Sequence, residues 1–426
     1  MASSRQLAAI MNKMKKAQFL FICIAIILVV SCRKNLQYES MVITSFSPAK
    51  GAWGNIVKIS GKGFGNSISV LNLFFNGKEA VISTLADTSI TTIVPQGVTT
   101  GKITVSLDGK VVESKTDFIL LPGVWIRKKD LPFPDLTSYP GGAPGRLLAS
   151  GFAIRNQGYA GAGHSPNKDG VGPFLKDWWE YDQPANQWIR KADIPLADGI
   201  WAGVYFGINN KGYIGIGRTE RDFTNEFWQY DPITDHWTRK ADFPGSWKKG
   251  SIGFGIDSKG YVGLGESWNS TGGFAQTDWW EYDPATDHWS RKADFPGPHE
   301  AFLTGFVLNN KIYLGLGGPT QQDRSWWEYD PVTNRWNRKS DYPGDKLGWW
   351  APAGFAIANK GYVVGISECW KYEPALDLWT QQAFFDDYRI SGVAFSIGSK
   401  GYFTTGGAHF TNYSLQNDLW EFTPPN

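Results

Sequence analysis

The chain has little cysteine, histidine or net charge, and each shortage excludes a class of protein. It contains 3 Cys and 5 His among 426 residues, with a net charge of +2. A near-neutral chain offers no basic field for nucleic acid, and so few scattered histidines predict no metal or other cofactor. Cys23 and Cys32 lie near the N-terminus, which leaves Cys369 as the single cysteine of the main body and excludes an internal disulfide there.

A long apolar run is also missing. The most apolar stretch, residues 19–30, spans only about a dozen residues, which is short for a membrane-spanning helix. Lys13, Lys15 and Lys16 precede it, and Ser31-Cys32 follows it. A basic start, a short apolar run and a small residue at its end predict an export signal over residues 1–32. Residues 33–40 would then form a tether.

The end of this signal resembles a bacterial lipobox. The resemblance implies that Cys32 becomes the lipid-modified N-terminus of an outer-membrane lipoprotein in the cell envelope. Whether the protein faces the periplasm or the outside stays open. The alternative is an ordinary signal peptide in which the cysteine is incidental.

Residues 41–121 form a separate unit with short alternating strands. Ile43–Pro48, Val57–Gly61, Leu73–Gly77 and Gly101–Val105 are separated by turn signals, which predicts a β-sandwich. The order of these motifs resembles the IPT/TIG family of immunoglobulin-like domains. That resemblance implies a spacer in most cases, and a glycan or partner contact in some.

From residue 151 onward the chain repeats one unit of about 50 residues. A unit of this size cannot bury its own faces and must stack on its neighbours, as in a β-propeller or solenoid. The main landmark is a Tyr followed seven positions later by a Trp. It recurs as Tyr181/Trp188, Tyr230/Trp237, Tyr282/Trp289, Tyr329/Trp336 and Tyr372/Trp379.

The sixth copy lacks its own outermost strand, and a matching segment lies at the other end of the repeats. Trp125–Pro132 corresponds almost residue for residue to Trp289–Pro296. We therefore expect this N-terminal strand to complete the last blade and close the ring, which removes exposed sheet edges. The predicted fold is all-β: an immunoglobulin-like β-sandwich followed by a six-bladed β-propeller over residues 124–426.

The repeat resembles the Kelch family. Gly317-Gly318 and Gly406-Gly407 keep the expected glycine doublet, whereas the fifth copy has Val364–Ser367 instead. The family includes copper oxidases with a Cys–Tyr cross-link, so Cys369 is a candidate for that chemistry. It aligns with apolar positions of the other copies, however, and we predict a buried structural thiol.

The loops at one face of the propeller vary in length, which indicates the recognition face. Aligning the copies on the second-strand Tyr predicts aromatic and charged side chains around the mouth of the axial funnel. An aromatic and charged ring suits a sugar, whose C–H face stacks on indole while its hydroxyls meet charged groups. Alternatively, the tryptophans pack between blades. The candidate ligand-binding residues are Arg146, Trp201, Arg218, Trp247, Lys248, His299, Glu300, Trp349, Trp350 and Arg389.

The sequence favours a non-catalytic envelope protein that binds a glycan or another polar ligand. One alternative is a sugar mutarotase without cofactor, since the Kelch resemblance includes sialic acid mutarotases of the bacterial envelope. In that case Glu300 or His299 would act as acid and base, with Arg146, Arg389 or Arg218 holding a carboxylate. A further alternative is a scaffold that binds other envelope proteins.

Overall fold

The structure, a computed structural model, describes residues 40–133, 145–166, 172–269, 272–298, 301–317, 323–345, 352–365, 367–384, 389–407 and 415–425. These residues form β-strands, with a single turn of 3-10 helix at Ile68–Val70. Across the same ranges there is no helix long and apolar enough to span a membrane. The described chain divides into a small unit, residues 40–49 with 56–118, and a large unit, residues 50–55 with 119–425.

The small unit contains two four-stranded antiparallel sheets. In sheet order, the first consists of Val42–Ser47, Ile56–Lys62, Ser89–Ile93 and Ile82–Ala86, and the second of Lys78–Glu79, Leu71–Phe75, Ile103–Leu107 and Lys110–Glu113. Alternate residues point inward, so that Val57 and Ile59 of the first sheet and Leu73 and Val105 of the second are buried. This is the predicted immunoglobulin-like arrangement.

The large unit contains six four-stranded antiparallel sheets, here called blades 1 to 6. From the innermost strand outward, blade 1 consists of Ser150–Ile154, Gln157–His164, Phe174–Asp182 and Gln187–Lys191. Blade 2 consists of Val204–Ile208, Lys211–Arg218, Phe223–Asp231 and His236–Lys240. Blade 3 consists of Ile252–Ile256, Lys259–Gly263, Trp279–Asp283 and His288–Arg291. Blade 4 consists of Thr304–Leu308, Lys311–Gly315, Trp326–Asp330 and Arg335–Lys339. Blade 5 consists of Ala353–Ile357, Lys360–Gly365, Glu368–Glu373 and Leu378–Gln382. Blade 6 consists of Val393–Ile397, Lys400–Thr404, Leu419–Thr423 and Val124–Lys128.

Two short two-stranded sheets complete the large unit. Glu266–Asn269 pairs with Gly272–Ala275 as a hairpin within the loop of blade 3. Lys50–Gly51 pairs in parallel with Ile119–Leu120.

The innermost strands of the blades contact one another in a ring. Each touches the innermost strand of the next blade, and that of blade 6 touches that of blade 1. The outermost strand of blade 6 comes from the start of the unit, because Val124–Lys128 pairs antiparallel with Leu419–Thr423 over five residues. This arrangement is consistent with the predicted six-bladed propeller and with its closure by an N-terminal strand.

The Tyr and Trp of the repeat landmark tie each blade to the preceding one. Tyr230 Oη donates to Asp235 Oδ1 at 2.7 Å, and Trp237 Nε1 donates to the Ala192 carbonyl of blade 1 at 2.9 Å. Asp235 also accepts from the Ala192 amide and has a left-handed backbone, φ 52°, which Asp and Asn tolerate. The same contacts recur in blades 1, 3, 4 and 5, which explains the fixed spacing.

In blades 1 to 4 a second-strand glycine faces an aromatic ring of the third strand. A Cβ on Gly161 would lie 2.9 Å from the Trp178 ring, and on Gly315 it would lie 2.8 Å from the Trp326 ring. Blades 5 and 6 have smaller third-strand residues at this position, and larger second-strand residues opposite them. These pairs are Val364 with Cys369 and Thr404 with Leu419.

Cys369 therefore fills a packing position between blades. Its side chain is fully buried, and burial raises the pKa of its thiol well above the usual range. The structure places it as the buried thiol that the alignment predicted.

Candidate functional site

Three of the predicted ligand-binding cations are buried inside the blades. Arg146 donates from Nη1 and Nη2 to the two carboxylate oxygens of Asp177, at 2.7 and 2.8 Å, and its side chain is 0 % exposed. The same carboxylate accepts from Trp179 Nε1 at 2.7 Å. Asp177 thus neutralises the guanidinium within the protein.

Lys248 and Arg389 occupy the same place in blades 3 and 6. Lys248 is paired with Asp278, and Arg389 with Asp418, and both cations have fully buried side chains. Burial lowers the pKa of Lys248, while the Asp278 carboxylate opposes that shift. Arg146, Lys248 and Arg389 therefore form buried ion pairs within their own blades. This corrects the sequence-based prediction, because their charged groups are enclosed and do not face a ligand at the mouth of the funnel.

The remaining predicted site residues fall into two groups. His299, Glu300, Trp349 and Trp350, as well as the lipidation candidate Cys32, lie outside the described residues, and their assignments stay predictions. Trp201, Arg218 and Trp247 are described, and each has a different environment. Trp247 presents 62 % of its surface to solvent.

Trp201 packs between blades 1 and 3. Its ring stacks on Phe174 with centroids 5.9 Å apart and planes inclined by 22°, and Lys249 Nζ lies 5.2 Å from its centroid. Lys249 also forms an ion pair with Glu266 at 3.0 Å. These contacts match the alternative interpretation, in which the tryptophans pack between blades, because Phe174 and Lys249 already contact the Trp201 ring.

Arg218 is exposed and lies beside a histidine whose charge is suppressed. Its main chain pairs with that of Trp201, and its guanidinium carbon lies 5.7 Å from the centroid of the Phe223 ring. Burial lowers the pKa of His164 to about 4, with the Arg218 charge acting in the same direction. His164 is therefore a neutral imidazole at pH 7.

An axial cavity of about 340 Å³ lies among the innermost strands. Each of these strands pairs with a second strand on one side only, so its other backbone edge faces the axis. Backbone groups at such an edge require water or a ligand as hydrogen-bond partner. The described residues that line the cavity are mostly Gly, Ala, Ser and Phe, and none of them is charged.

Five left-handed residues, one from each of blades 1 to 4 and 6, lie at the end of the cavity where the innermost strands begin and are here called the collar. Its members and their φ angles are Leu148 (47°), Ala202 (52°), Gly250 (64°), Phe302 (59°) and Ser391 (56°), all lining the cavity. Backbone hydrogen bonds connect neighbouring blades, from Leu148 to Ser391 at 3.1 Å, from Gly250 to Ala202 at 3.1 Å and from Phe302 to Gly250 at 2.8 Å. The collar is thus a rigid rim at the loop face.

Hydroxyl side chains give the cavity its polar groups, and those of Ser391 and Tyr205 stand out among the five that line it, which also include Ser251, Thr304 and Ser396. Ser391 is 5 % exposed, and its Oγ has no hydrogen-bond partner among the described residues. Tyr205 stands where the other innermost strands have Gly or Ala, and burial raises the pKa of its hydroxyl to about 12. Sequence reasoning missed both residues, although the large Tyr205 among small equivalents was a visible signal.

Comparisons with known proteins support the architecture. Residues 41–119 match the family model described as "IPT/TIG domain", which confirms the predicted identity of that segment. No curated protein matches the chain. A solved structure described as "Structure of YjhT" matches with a TM-score of 0.53 at 16 % identity, covering 67 % of this chain and 99 % of that chain. At this identity the likeness shows the fold alone.

Proposed function

We propose that the protein binds a carbohydrate at the collar end of the axial cavity, without catalysis. The observation that carries this proposal is the cavity itself, with the half-buried Tyr205 and with a Ser391 hydroxyl that has no partner in the described structure in its wall. Its volume of about 340 Å³ lies within the range of small-molecule sites, roughly 300–1,000 Å³.

The chemistry of the wall suits a sugar. Sugar hydroxyls both donate and accept, so they can satisfy strand-edge N–H and C=O groups as well as the side-chain hydroxyls. The aromatic and small apolar residues between these polar groups accommodate sugar C–H faces.

We expect the double variant Tyr205→Phe/Ser391→Ala to lose affinity for its sugar about tenfold or more. Each lost hydrogen bond is worth about 0.5–1.5 kcal/mol, and 1.4 kcal/mol corresponds to about a tenfold change in Kd. The measurement is a glycan-array screen of the purified full-length protein, followed by titration of the sugar that binds.

Ser150→Ala and Tyr342→Phe are matched controls, because both side chains carry buried hydroxyls without partners in the described structure but do not line the cavity. They should leave affinity unchanged. A blank array from folded protein would overturn the proposal and direct attention to protein partners.

A second candidate function is sugar mutarotation, supported by the neutral His164 beside the exposed Arg218. The imidazole would take the proton of the anomeric hydroxyl and return it to the ring oxygen as the bond between that oxygen and the anomeric carbon breaks. The guanidinium can hold an anionic group of the sugar. NMR of the bound sugar would distinguish the two functions. Accelerated interconversion of anomers that is lost in His164→Ala, with affinity retained, would favour the mutarotase.

We also propose that the protein is exported and anchored to the outer membrane by lipid at Cys32, on the basis of its N-terminal sequence. Cys32→Ser should move the protein from the membrane fraction to the soluble or uncleaved pool and abolish labelling by a fatty-acid analogue. Cys369→Ser is the matched control and should remain labelled. Unchanged membrane retention and labelling of Cys32→Ser would contradict the anchor.

A further inference from the structure

We propose that the cavity selects a neutral sugar, with the Phe302 ring against its C–H face and Ser391 Oγ bound to one of its hydroxyls. This inference rests on the proposed carbohydrate-binding function. It adds the charge class of the ligand and the two collar residues that recognise it.

The charge argument begins with the cavity wall. None of its described lining residues carries a charge. A carboxylate that entered would lose its hydration without gaining a cationic partner there, and burying an unpaired charge is strongly unfavourable. A hydroxymethyl group at the same position would meet hydroxyls and backbone edges that hydrogen-bond it.

Four basic side chains of the loop face that the structure describes are paired with carboxylates of the protein. Arg146, Lys248 and Arg389 are enclosed with their aspartates, and Lys249 is paired with the buried Glu266. They do not supply a carboxylate site at the collar.

Phe302 provides the apolar surface. It is the one aromatic residue among the collar members that the structure describes, it lines the cavity, and it is only partly buried. Its ring lies directly on the collar of blade 3, since a Cβ added to Gly250 would be 3.0 Å from the ring atoms Cγ and Cδ1. Gly250 therefore lets the ring pack closely against the rim, with Lys249 Nζ 6.0 Å from its centroid. The C–H face of the sugar would lie against the part of the ring that lines the cavity.

Ser391 provides the polar contact. Its carbonyl accepts the Leu148 amide at 3.1 Å, which fixes the residue in the collar, while its Oγ is left without a partner in the described structure. A buried hydroxyl without a partner is unfavourable, and a ligand hydroxyl at the cavity wall would satisfy it.

The test uses sugar pairs that differ only at C6: glucose with glucuronic acid, and galactose with galacturonic acid. Titration calorimetry of the full-length protein at pH 7 should give at least tenfold tighter binding for the neutral member of the pair that binds. Phe302→Ala should weaken that binding at least tenfold, Phe302→Tyr should restore most of it, and Ser391→Ala should weaken it severalfold. Thermal unfolding of each variant verifies that the fold is retained.

Trp247→Ala is the control for a site on the outer loops, since this exposed indole lies outside the cavity lining. Loss of binding in Trp247→Ala but not in Phe302→Ala would overturn the assignment to the collar. Equal or tighter binding of the uronic acid would overturn the neutral-ligand inference and leave the proposed function standing. Failure of both members of every pair, together with a blank glycan array, would overturn both.

Discussion

Arg146→Ala is expected to lower the free energy of unfolding of the large unit by about 3–5 kcal/mol, because it leaves the Asp177 carboxylate buried without its cation. The change also removes donors to the Ala162 and Pro132 carbonyls. The measurement is chemical denaturation followed by tryptophan fluorescence. Sugar affinity, measured at a temperature where the variant is folded, should change little.

Blade 3 supplies the matched control. Lys248 with Asp278 forms the equivalent pair there, so the fold already accommodates a lysine at this position. Arg146→Lys should therefore destabilise far less than Arg146→Ala. An Arg146→Ala variant with unchanged stability but no sugar affinity would restore the sequence-based assignment of Arg146 to the ligand site.

The architecture could be predicted because the same pattern of residues recurs in successive copies of the repeat. The Tyr–Trp spacing reflects two hydrogen bonds that recur along the repeat, one from the Tyr within its blade and one from the Trp to the preceding blade. The left-handed Asp or Asn between them is visible as a fixed residue type. The match of Trp125–Pro132 to the repeat predicted its pairing, and Trp125 Nε1 indeed donates to the Ala383 carbonyl at 2.7 Å, as its counterparts do in other blades.

The alignment could place Arg146, Lys248 and Arg389 at one position, but it could not give the direction of their side chains. Their partners lie about 30 residues later, separated by a complete second strand. The sequence nevertheless contains a signal for these ion pairs. Blades with a cation at this position have Asp directly before the third-strand core residue, as at Asp177 and Asp418, whereas blade 2 has Ile200 together with Glu226.

The cavity was harder to predict because its walls consist largely of backbone and small side chains. Sequence reasoning sought large charged and aromatic groups and therefore selected Trp201, whose ring is occupied by Phe174 and Lys249. Phe302 and Ser391 are positioned by a left-handed backbone that recurs at this place in blades 1 to 4 and 6. Extending the alignment two residues beyond Arg146 would have reached this position.

Ending the chain after Asp418 is expected to abolish cooperative folding of the large unit. Leu419–Thr423 is the strand that joins Val124–Lys128 to Lys400–Thr404, so its loss leaves two edges unpaired. It also removes the fully buried Leu419 and Phe422, each worth about 1.5–3 kcal/mol in burial alone. Added to the lost strand pairing, this approaches the whole stability of a typical domain, about 5–15 kcal/mol.

A chain that ends after Thr423 is the control, because it lacks only Pro424, Pro425 and Asn426 and retains the entire strand. It should unfold at the same denaturant concentration as the full chain. The shorter chain should aggregate or unfold without a sharp transition, since a ring opened at one blade exposes sheet edges on both sides of the gap. A cooperative transition near that of the full chain would mean that five blades hold together without closure. The closing strand would then not be required for folding.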